Sequence, residues 1–210
     1  MVNTTRVVNG VNQILLSDRS VHEWYRFVLS FPPHLVRQYL DEFQLKPGQT
    51  VLDPFCGTGT TIVEARKQGY ASIGIESNPM ACFASSVKVN WEVDPDGFEQ
   101  DSHRIAEQAN ILFTQQGLNS HNDLPLFANQ QTESTRLRSL NAEQTKLLLS
   151  RSISPRPLHR VLELLDLIRS QRSPWTPHQE LALATTLVAD ASNLKFGPEV
   201  GVRRTARLDA

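Results

Sequence analysis

The sequence predicts an α/β protein with a βαβ core in its first part and a mostly helical C-terminal extension. Two short apolar strands, about Gln49 to Pro54 and Ala71 to Glu76, flank a helix-compatible stretch from about Thr60 to Gln68. Such a unit has parallel strands and a right-handed crossover. No convincing strand follows residue 76, which predicts the helical extension. Because two strands do not make a stable open sheet alone, the predicted core is partial.

Two helices are predicted before the first strand. Ser20 and Glu23 fit a helix-start capping box, with Ser at the N-cap and Glu three positions later, which predicts a short helix through Trp24, Phe27 and Val28. The two prolines that follow Phe31 break this helix. A second helix is predicted from about His34 to Phe43, and its apolar face combines Leu35, Val36, Tyr39, Leu40 and Phe43.

Helices dominate the prediction after the second strand. Pro79, just after Asn78, suits the first turn of a helix that runs to about Trp91. Further helices are predicted over 98–116, over 141–150 behind the cap residue Asn141, from Ser154-Pro155, and from a Thr176 to Gln179 capping box to about Leu194, with a loop over 117–135. We therefore expect one domain over 1–93 and a helical region over 94–210 that is an insertion or the start of another domain.

Composition limits the function classes. The 210 residues are 40% hydrophobic and 20% charged, which suits a folded core. The net charge of −1 gives no global sign of nucleic-acid binding, although arginines collect after residue 150. Two cysteines are too few for a disulfide framework or a metal site. With no signal-peptide pattern and no apolar run approaching about 20 residues, we expect a soluble, cytoplasmic protein without a membrane partner.

The segment from Asp53 to Thr61 is the most informative part of the chain. An apolar strand ends at Asp53, a turn with Gly57 and Gly59 follows, and a helix opens at Thr60. Glycine lets the backbone turn sharply and approach a ligand closely. Open α/β sheets bind ligands at the carboxyl ends of their strands. The segment therefore predicts a nucleotide-type cofactor site, although its sequence differs from the G-x-G-x-x-G fingerprint of dinucleotide-binding sites.

A second acidic residue supports this interpretation. Glu76 ends the second predicted strand 23 residues after Asp53. An acid at such spacing accepts hydrogen bonds from ribose hydroxyls in Rossmann-like folds. The alternatives are that Glu76 is an ordinary surface acid and that Asp53 only caps the following turn. Cys56 is expected to fill space inside the turn.

The run Asp-Pro-Phe-Cys-Gly-Thr-Gly-Thr-Thr closely resembles the S-adenosylmethionine motif of the DNA methyltransferases that methylate cytosine N4 or adenine N6. The resemblance implies a Rossmann-like methyltransferase fold, S-adenosylmethionine as cofactor and DNA as partner. It places Asp53 near the methionine part of the cofactor and Phe55 along it. The implied cofactor-binding residues are Asp53, Pro54, Phe55, Gly57, Thr58, Gly59, Thr60, Glu76 and Asn78.

The resemblance extends to two more segments and then stops. Residues 31–36 resemble the segment that closes over the cofactor's methionine end, and 192–201 resemble a stretch before the catalytic strand of some members. The family holds its target amine with a (Ser/Asn/Asp)-Pro-Pro-(Tyr/Phe/Trp) tetrapeptide, which does not occur in this sequence. The catalytic residues are therefore unknown. The chain is expected to be the N-terminal, cofactor-binding portion of such an enzyme, either a truncated gene product or one half of a split enzyme in which a second polypeptide supplies the base-binding half.

The predicted function is a site-specific DNA methyltransferase, with cytosine N4 preferred over adenine N6, in a truncated or split form. Transfer would be direct, without a covalent enzyme–base intermediate. An RNA guanine-N2 methyltransferase is one alternative, since much of the motif occurs there too. A non-catalytic remnant or cofactor-binding module is the other. The double threonine and the Phe-Pro-Pro-His segment favour DNA.

Overall fold

The computed structural model describes residues 14–26, 30–46, 48–118, 136–195 and 200–208. The chain divides into two compact units, one up to Trp91 and one from Glu92 onward. We call them the N-terminal and C-terminal units.

The N-terminal unit is built on a parallel βαβ motif, as the sequence predicts. Its elements are a 3-10 turn Leu16–Asp18, α1 Arg19–His22, α2 Pro33–Glu42, β1 Thr50–Asp53, α3 Thr60–Lys67, β2 Ala71–Gly74 and α4 Pro79–Lys88. Strands β1 and β2 pair in parallel, with Thr50 opposite Ala71 and Asp53 opposite Gly74. α3 ends before Gly69, whose φ of +77° is the left-handed conformation typical of a helix-ending glycine.

The two faces of this sheet differ in burial. On one face a Cβ added at Gly74 would lie 2.8 Å from Cys56 Sγ and 3.2 Å from a carbon of Ile62, so that face packs on the turn and on α3. On the other face Leu52, Ile73 and Ile75 are 60%, 55% and 56% exposed. Parallel sheets are normally covered on both faces. The described residues thus form a βαβ unit and not a full doubly covered sheet.

The start of α1 corrects the sequence prediction. Ser20 lies inside the helix, the N-cap is Asp18, and the helix ends at His22 instead of continuing through Trp24. Phe27 and Val28 lie outside the described residues. Long-range contacts override the capping box, because Arg37 binds both carboxylate oxygens of Asp18 at 2.9 Å.

The helix α2 begins one residue before its predicted start and packs with only part of the predicted apolar face. Val36 and Leu40 are buried, but Tyr39 and Phe43 are 54% and 72% exposed. Their rings stack on each other with centroids 6.1 Å apart. The helical spacing was therefore correct for two core residues and wrong for the two aromatic ones.

The C-terminal unit is mostly helical. It contains α5 Pro95–Gln115, α6 Ala142–Leu147, α7 Pro155–Ser170, α8 Thr176–Thr186, a π-helical turn Leu187–Ala191, and the strands β3 Leu194–Lys195 and β4 Gly201–Val202. The two strands form an antiparallel ribbon, so the expectation of no strand after residue 76 was wrong. Strands of two residues are too short to show an alternating pattern. Of the predicted loop, 119–135 lies outside the described residues.

The predicted helix cap at Asn141 is confirmed, and the predicted capping box at Thr176 is wrong. At α6, Asn141 accepts from the N–H of Gln144 at 2.8 Å and Gln144 reciprocates. At α8 the N-cap is Trp175, and Thr176 Oγ1 instead accepts from the N–H of Ser173 at 2.9 Å. Because Gln179 turns inward to Asp101, 2.9 Å away, it does not complete the box. No described helix combines the length and apolar character that crossing a membrane requires.

Candidate functional site

The glycine turn lies where both parallel strands end. The ladder continues past the strands, because Ile75 donates its N–H to the carbonyl of Asp53 at 2.9 Å and Cys56 donates to the carbonyl of Ile75 at 3.0 Å. Gly59 then donates to the carbonyl of Cys56 at 2.8 Å, which closes the turn ahead of α3. The turn therefore occupies the carboxyl edge of the sheet, the usual ligand position in open α/β folds.

The two glycines of the turn do different jobs. Gly59 has a φ of +89°, and a Cβ there would lie 2.9 Å from the Cβ of Ser85 on α4. Gly57 has a φ of +54° and no atom within 4 Å of its Cβ position. Gly59 is thus required for close packing against a helix, whereas Gly57 leaves open space beside the backbone.

Glu76 is fixed against the glycine turn. Its Oε2 accepts from the N–H of Gly57 at 2.9 Å and its Oε1 accepts from the N–H of Asn78 at 2.7 Å. Each carboxylate oxygen has a second lone pair, so both can accept a further hydrogen bond from a ligand. The structure therefore brings together the turn and the second acid that the sequence singled out.

Asp53 stabilises the turn locally. Its Oδ1 accepts from the N–H of Phe55 at 3.0 Å, which is the local bond expected of an Asp at the start of a turn.

The remaining residues of the predicted cofactor site differ in how far their side chains are exposed to solvent. Pro54 is exposed and Phe55 is 86% exposed, so both face outward at the turn. Thr58 and Thr60 are 6% and 7% exposed, so their side chains pack inside. Asn78 caps α4, because its Oδ1 accepts from the N–H groups of Met80 and Ala81 at 2.9 and 3.1 Å.

Cys56 packs inside the turn. It is buried, and burial raises the pKa of its thiol. The nucleophilic form of cysteine is the thiolate, which a raised pKa disfavours. The side chain therefore fills space beside Gly74 and is not prepared for nucleophilic attack.

A buried charge network supports α3, and sequence reasoning missed it. Glu64 is fully buried and accepts from His22 Nε2 at 2.7 Å, Arg37 Nη1 at 2.6 Å and Lys67 Nζ at 2.7 Å. Burial would raise the pKa of Glu64, but the hydrogen bonds from these three groups outweigh it and lower the pKa to about 2. The carboxylate therefore stays ionised and holds α1, α2 and α3 together.

Lys88 is a second buried charge that the sequence did not reveal. It is 2% exposed and donates to the carbonyls of His22, at 3.3 Å, and Tyr25. Burial, with a smaller contribution from Arg26, lowers its pKa to about 8. It joins the end of α4 to the segment after α1. A charged residue within an otherwise apolar stretch, as in Ile62-Val63-Glu64-Ala65, was the available signal for such buried charges.

Comparison with known proteins shows what this region of the chain is similar to. The family model described as DNA methylase matches residues 12–86. The chain is 41% identical over 71 residues to the type II methyltransferase M.BsoBI of Geobacillus stearothermophilus, covering 34% of this chain and 14% of that protein. It is 35% identical over 79 residues to the type II methyltransferase M.MjaII of Methanocaldococcus jannaschii, covering 36% and 15%.

A more distant similarity reaches further along the chain. The type II methyltransferase M.AvaI of Nostoc is 26% identical over 102 residues, which are 49% of this chain and 20% of that protein. No solved structure matches the chain significantly. The matched regions span only about a seventh of the length of the first two relatives, at 14% and 15%. Residues 12–86, which contain the βαβ unit and the glycine turn, are therefore the part of the chain that is similar to the DNA methylase family.

Proposed function

We propose that the chain is the cofactor-binding part of a site-specific DNA methyltransferase. The enzyme transfers a methyl group from S-adenosylmethionine to an exocyclic amino group of DNA, cytosine N4 in preference to adenine N6. One observation carries the proposal: Glu76 is held 2.9 Å from the N–H of Gly57, at the carboxyl ends of two parallel strands. This geometry lies within the residues that match the DNA methylase family.

The residues of the turn fit S-adenosylmethionine. Glu76 offers carboxylate oxygens for ribose hydroxyls, and the open space at Gly57 lets a ligand approach the backbone. The exposed Phe55 ring offers an apolar surface, and Asp53 offers a carboxylate for the ammonium of the methionine part. The proposed binding set is completed by Pro54, Thr58, Gly59, Thr60 and Asn78.

The bound cofactor supplies an electrophilic methyl group on its sulfonium. The residues of this chain hold and align that group, and alignment alone can supply much of the rate acceleration of a direct transfer. The buried Glu64 network contributes indirectly, because it fixes the helix that begins at the turn. The buried, protonated Cys56 agrees with a transfer that needs no cysteine nucleophile.

We further propose that a second polypeptide binds the target base. Two facts support this: the Pro-Pro-aromatic tetrapeptide does not occur among the 210 residues, and the β1–β2 sheet exposes Leu52, Ile73 and Ile75 on one face. A parallel sheet needs cover on that face. The 210-residue chain alone is therefore expected to transfer no methyl group to duplex DNA. Incorporation of radioactive methyl into DNA by the purified chain would contradict this proposal.

The cofactor proposal is tested by Glu76→Ala. Losing hydrogen bonds to a charged group should weaken S-adenosylmethionine binding by about 1–3 kcal/mol, measured by isothermal titration calorimetry. Glu42→Ala, which removes an exposed carboxylate from α2 of the same unit, is the matched control and should leave the affinity unchanged. Equal affinity of Glu76→Ala and the native chain would reject the ribose role of Glu76.

A further inference from the structure

The C-terminal unit contains a buried asparagine that joins three separate segments. Asn193 is 2% exposed, and its Nδ2 donates to the carbonyl of Arg151 at 3.1 Å and to Ser154 Oγ at 3.2 Å. Its Oδ1 accepts from the N–H of Arg207 at 2.7 Å. Its own backbone donates to the carbonyl of Ser152 at 2.6 Å. The side chain and backbone of one residue thus fix the start of α7, the β3–β4 ribbon and the segment after it.

This arrangement gathers basic residues at one end of α7. The backbone N–H of Arg203 donates to the carbonyl of Asn193 at 2.7 Å, so Arg203 continues the ribbon directly opposite Asn193. Lys195 and Arg203 therefore lie on the same face of the ribbon as diagonal neighbours, about 7–8 Å apart. Arg204 follows directly, and Arg151 reaches the same asparagine through its own carbonyl. We call Arg151, Lys195, Arg203 and Arg204 the ribbon cluster.

The ribbon cluster is available to a ligand. All four side chains are exposed. Arg203 Nε donates to the carbonyl of Leu194 at 3.2 Å. Because a guanidinium has five N–H donors in total, this bond uses only one of them. In sequence, residues 194–209 contain one lysine and three arginines against two acidic residues, Glu199 and Asp209, and the acid of the adjoining π-helical turn is Asp190. The chain as a whole has a net charge of −1, so this concentration of positive charge is local.

We propose that the ribbon cluster binds the phosphate backbone of duplex DNA. Lysine and arginine side chains on a rigid, exposed element supply most of the sequence-independent affinity of DNA-binding proteins. The inference rests on the proposed methyltransferase function for the identity of the polyanion. It adds a contact surface in the unit that the DNA methylase family model, which ends at residue 86, does not cover.

The test is the salt dependence of duplex binding by the full chain. A short fluorescein-labelled DNA duplex is titrated at several salt concentrations and followed by fluorescence anisotropy. A plot of log affinity against log salt has a negative slope, and each lost phosphate contact makes that slope less steep by about 0.9. The Arg203→Ala/Arg204→Ala variant should therefore lose about 2 from the slope and bind about tenfold more weakly at the low-salt end. Arg203→Lys/Arg204→Lys keeps the charge and should stay close to the native slope.

The matched control lies at the other end of the same helix. Arg172 is exposed and follows α7, whose 16 residues separate it from the ribbon cluster by about 24 Å. Arg172→Ala should leave both slope and affinity near native values. An unchanged slope in the double alanine variant, an equal loss in Arg172→Ala, tighter binding to an RNA duplex of the same sequence, or no duplex binding even at low salt would each overturn the proposal.

Calorimetry with S-adenosylmethionine separates this inference from the proposed function. A chain that binds the cofactor but whose duplex binding ignores Arg203 and Arg204 rejects the ribbon cluster alone. A chain whose duplex binding depends on these arginines but that does not bind the cofactor rejects the methyltransferase assignment and leaves the surface intact.

Discussion

Each unit of the molecule contains a buried polar side chain that joins separate segments of the chain, and the two side chains do so by different interactions. Glu64 in the N-terminal unit is an ionised carboxylate bound by His22, Arg37 and Lys67. Asn193 in the C-terminal unit is a neutral amide bound to backbone groups and one hydroxyl. A buried charge gains strength from its partners but is costly once they are lost. A buried amide costs less to break and does not titrate. The comparison predicts different sensitivities for the two units.

The largest expected effect is that of Glu64→Gln. The substitution removes the charge that compensates Arg37 and Lys67, and breaking a buried ion pair costs about 3–5 kcal/mol. We expect the lower end of that range, because Arg37 keeps its bonds to Asp18. Urea unfolding followed by the fluorescence of Trp24 and Trp91 reports on this unit, with the exposed Glu42→Gln as control. A loss no greater than that of the control would show that the network contributes nothing to stability.

The second-largest expected effect is a loss of stability of the N-terminal unit in acid. The folded pKa of Glu64 is lowered from 4.5 to about 2, so its contribution is complete above pH 4.5 and is lost as the pH falls through about 2. The shift corresponds to at most about 3 kcal/mol, at 1.36 kcal/mol per pKa unit. Unfolding free energies measured between pH 6 and pH 2 should fall less steeply in Glu64→Gln than in the native chain. Parallel pH profiles for the two proteins would reject Glu64 as the titrating group.

The smallest expected effect is that of replacing Asn193, the neutral buried amide of the C-terminal unit. Asn193→Ala leaves the N–H of Arg207 and the carbonyl of Arg151 without their partner, which costs about 1–3 kcal/mol for a buried unsatisfied group. The fluorescence of Trp175 reports on unfolding of the C-terminal unit. The loss of unfolding free energy should be the same at pH 6 and at pH 3, in contrast to the pH-dependent effect at Glu64. A pH-dependent loss of stability in Asn193→Ala would remove the distinction between the charged Glu64 and the neutral Asn193.

The sequence predicted the local part of this structure well. The βαβ unit, the glycine turn, the helix ends at Gly69 and Asn141, and the similarity to the DNA methylase family all follow from residues that are close in sequence. Contacts between distant residues could not be predicted in this way. His22 meets Glu64 across 42 positions, and such pairings depend on packing that no local pattern encodes. The same contacts explain the errors at Ser20 and Thr176, where neighbouring side chains bind elsewhere and the expected caps do not form.

The way in which Glu76 is held has a consequence for selectivity. A carboxylate fixed by two backbone donors cannot swing to follow a ligand that lacks a hydroxyl, because doing so would leave the N–H groups of Gly57 and Asn78 unpaired. A site built to hydrogen-bond a hydroxyl discriminates strongly against an analogue without it. If Glu76 binds the ribose of the proposed cofactor, the turn should reject a deoxyribose analogue of that cofactor far more strongly than an analogue that differs only in its apolar parts.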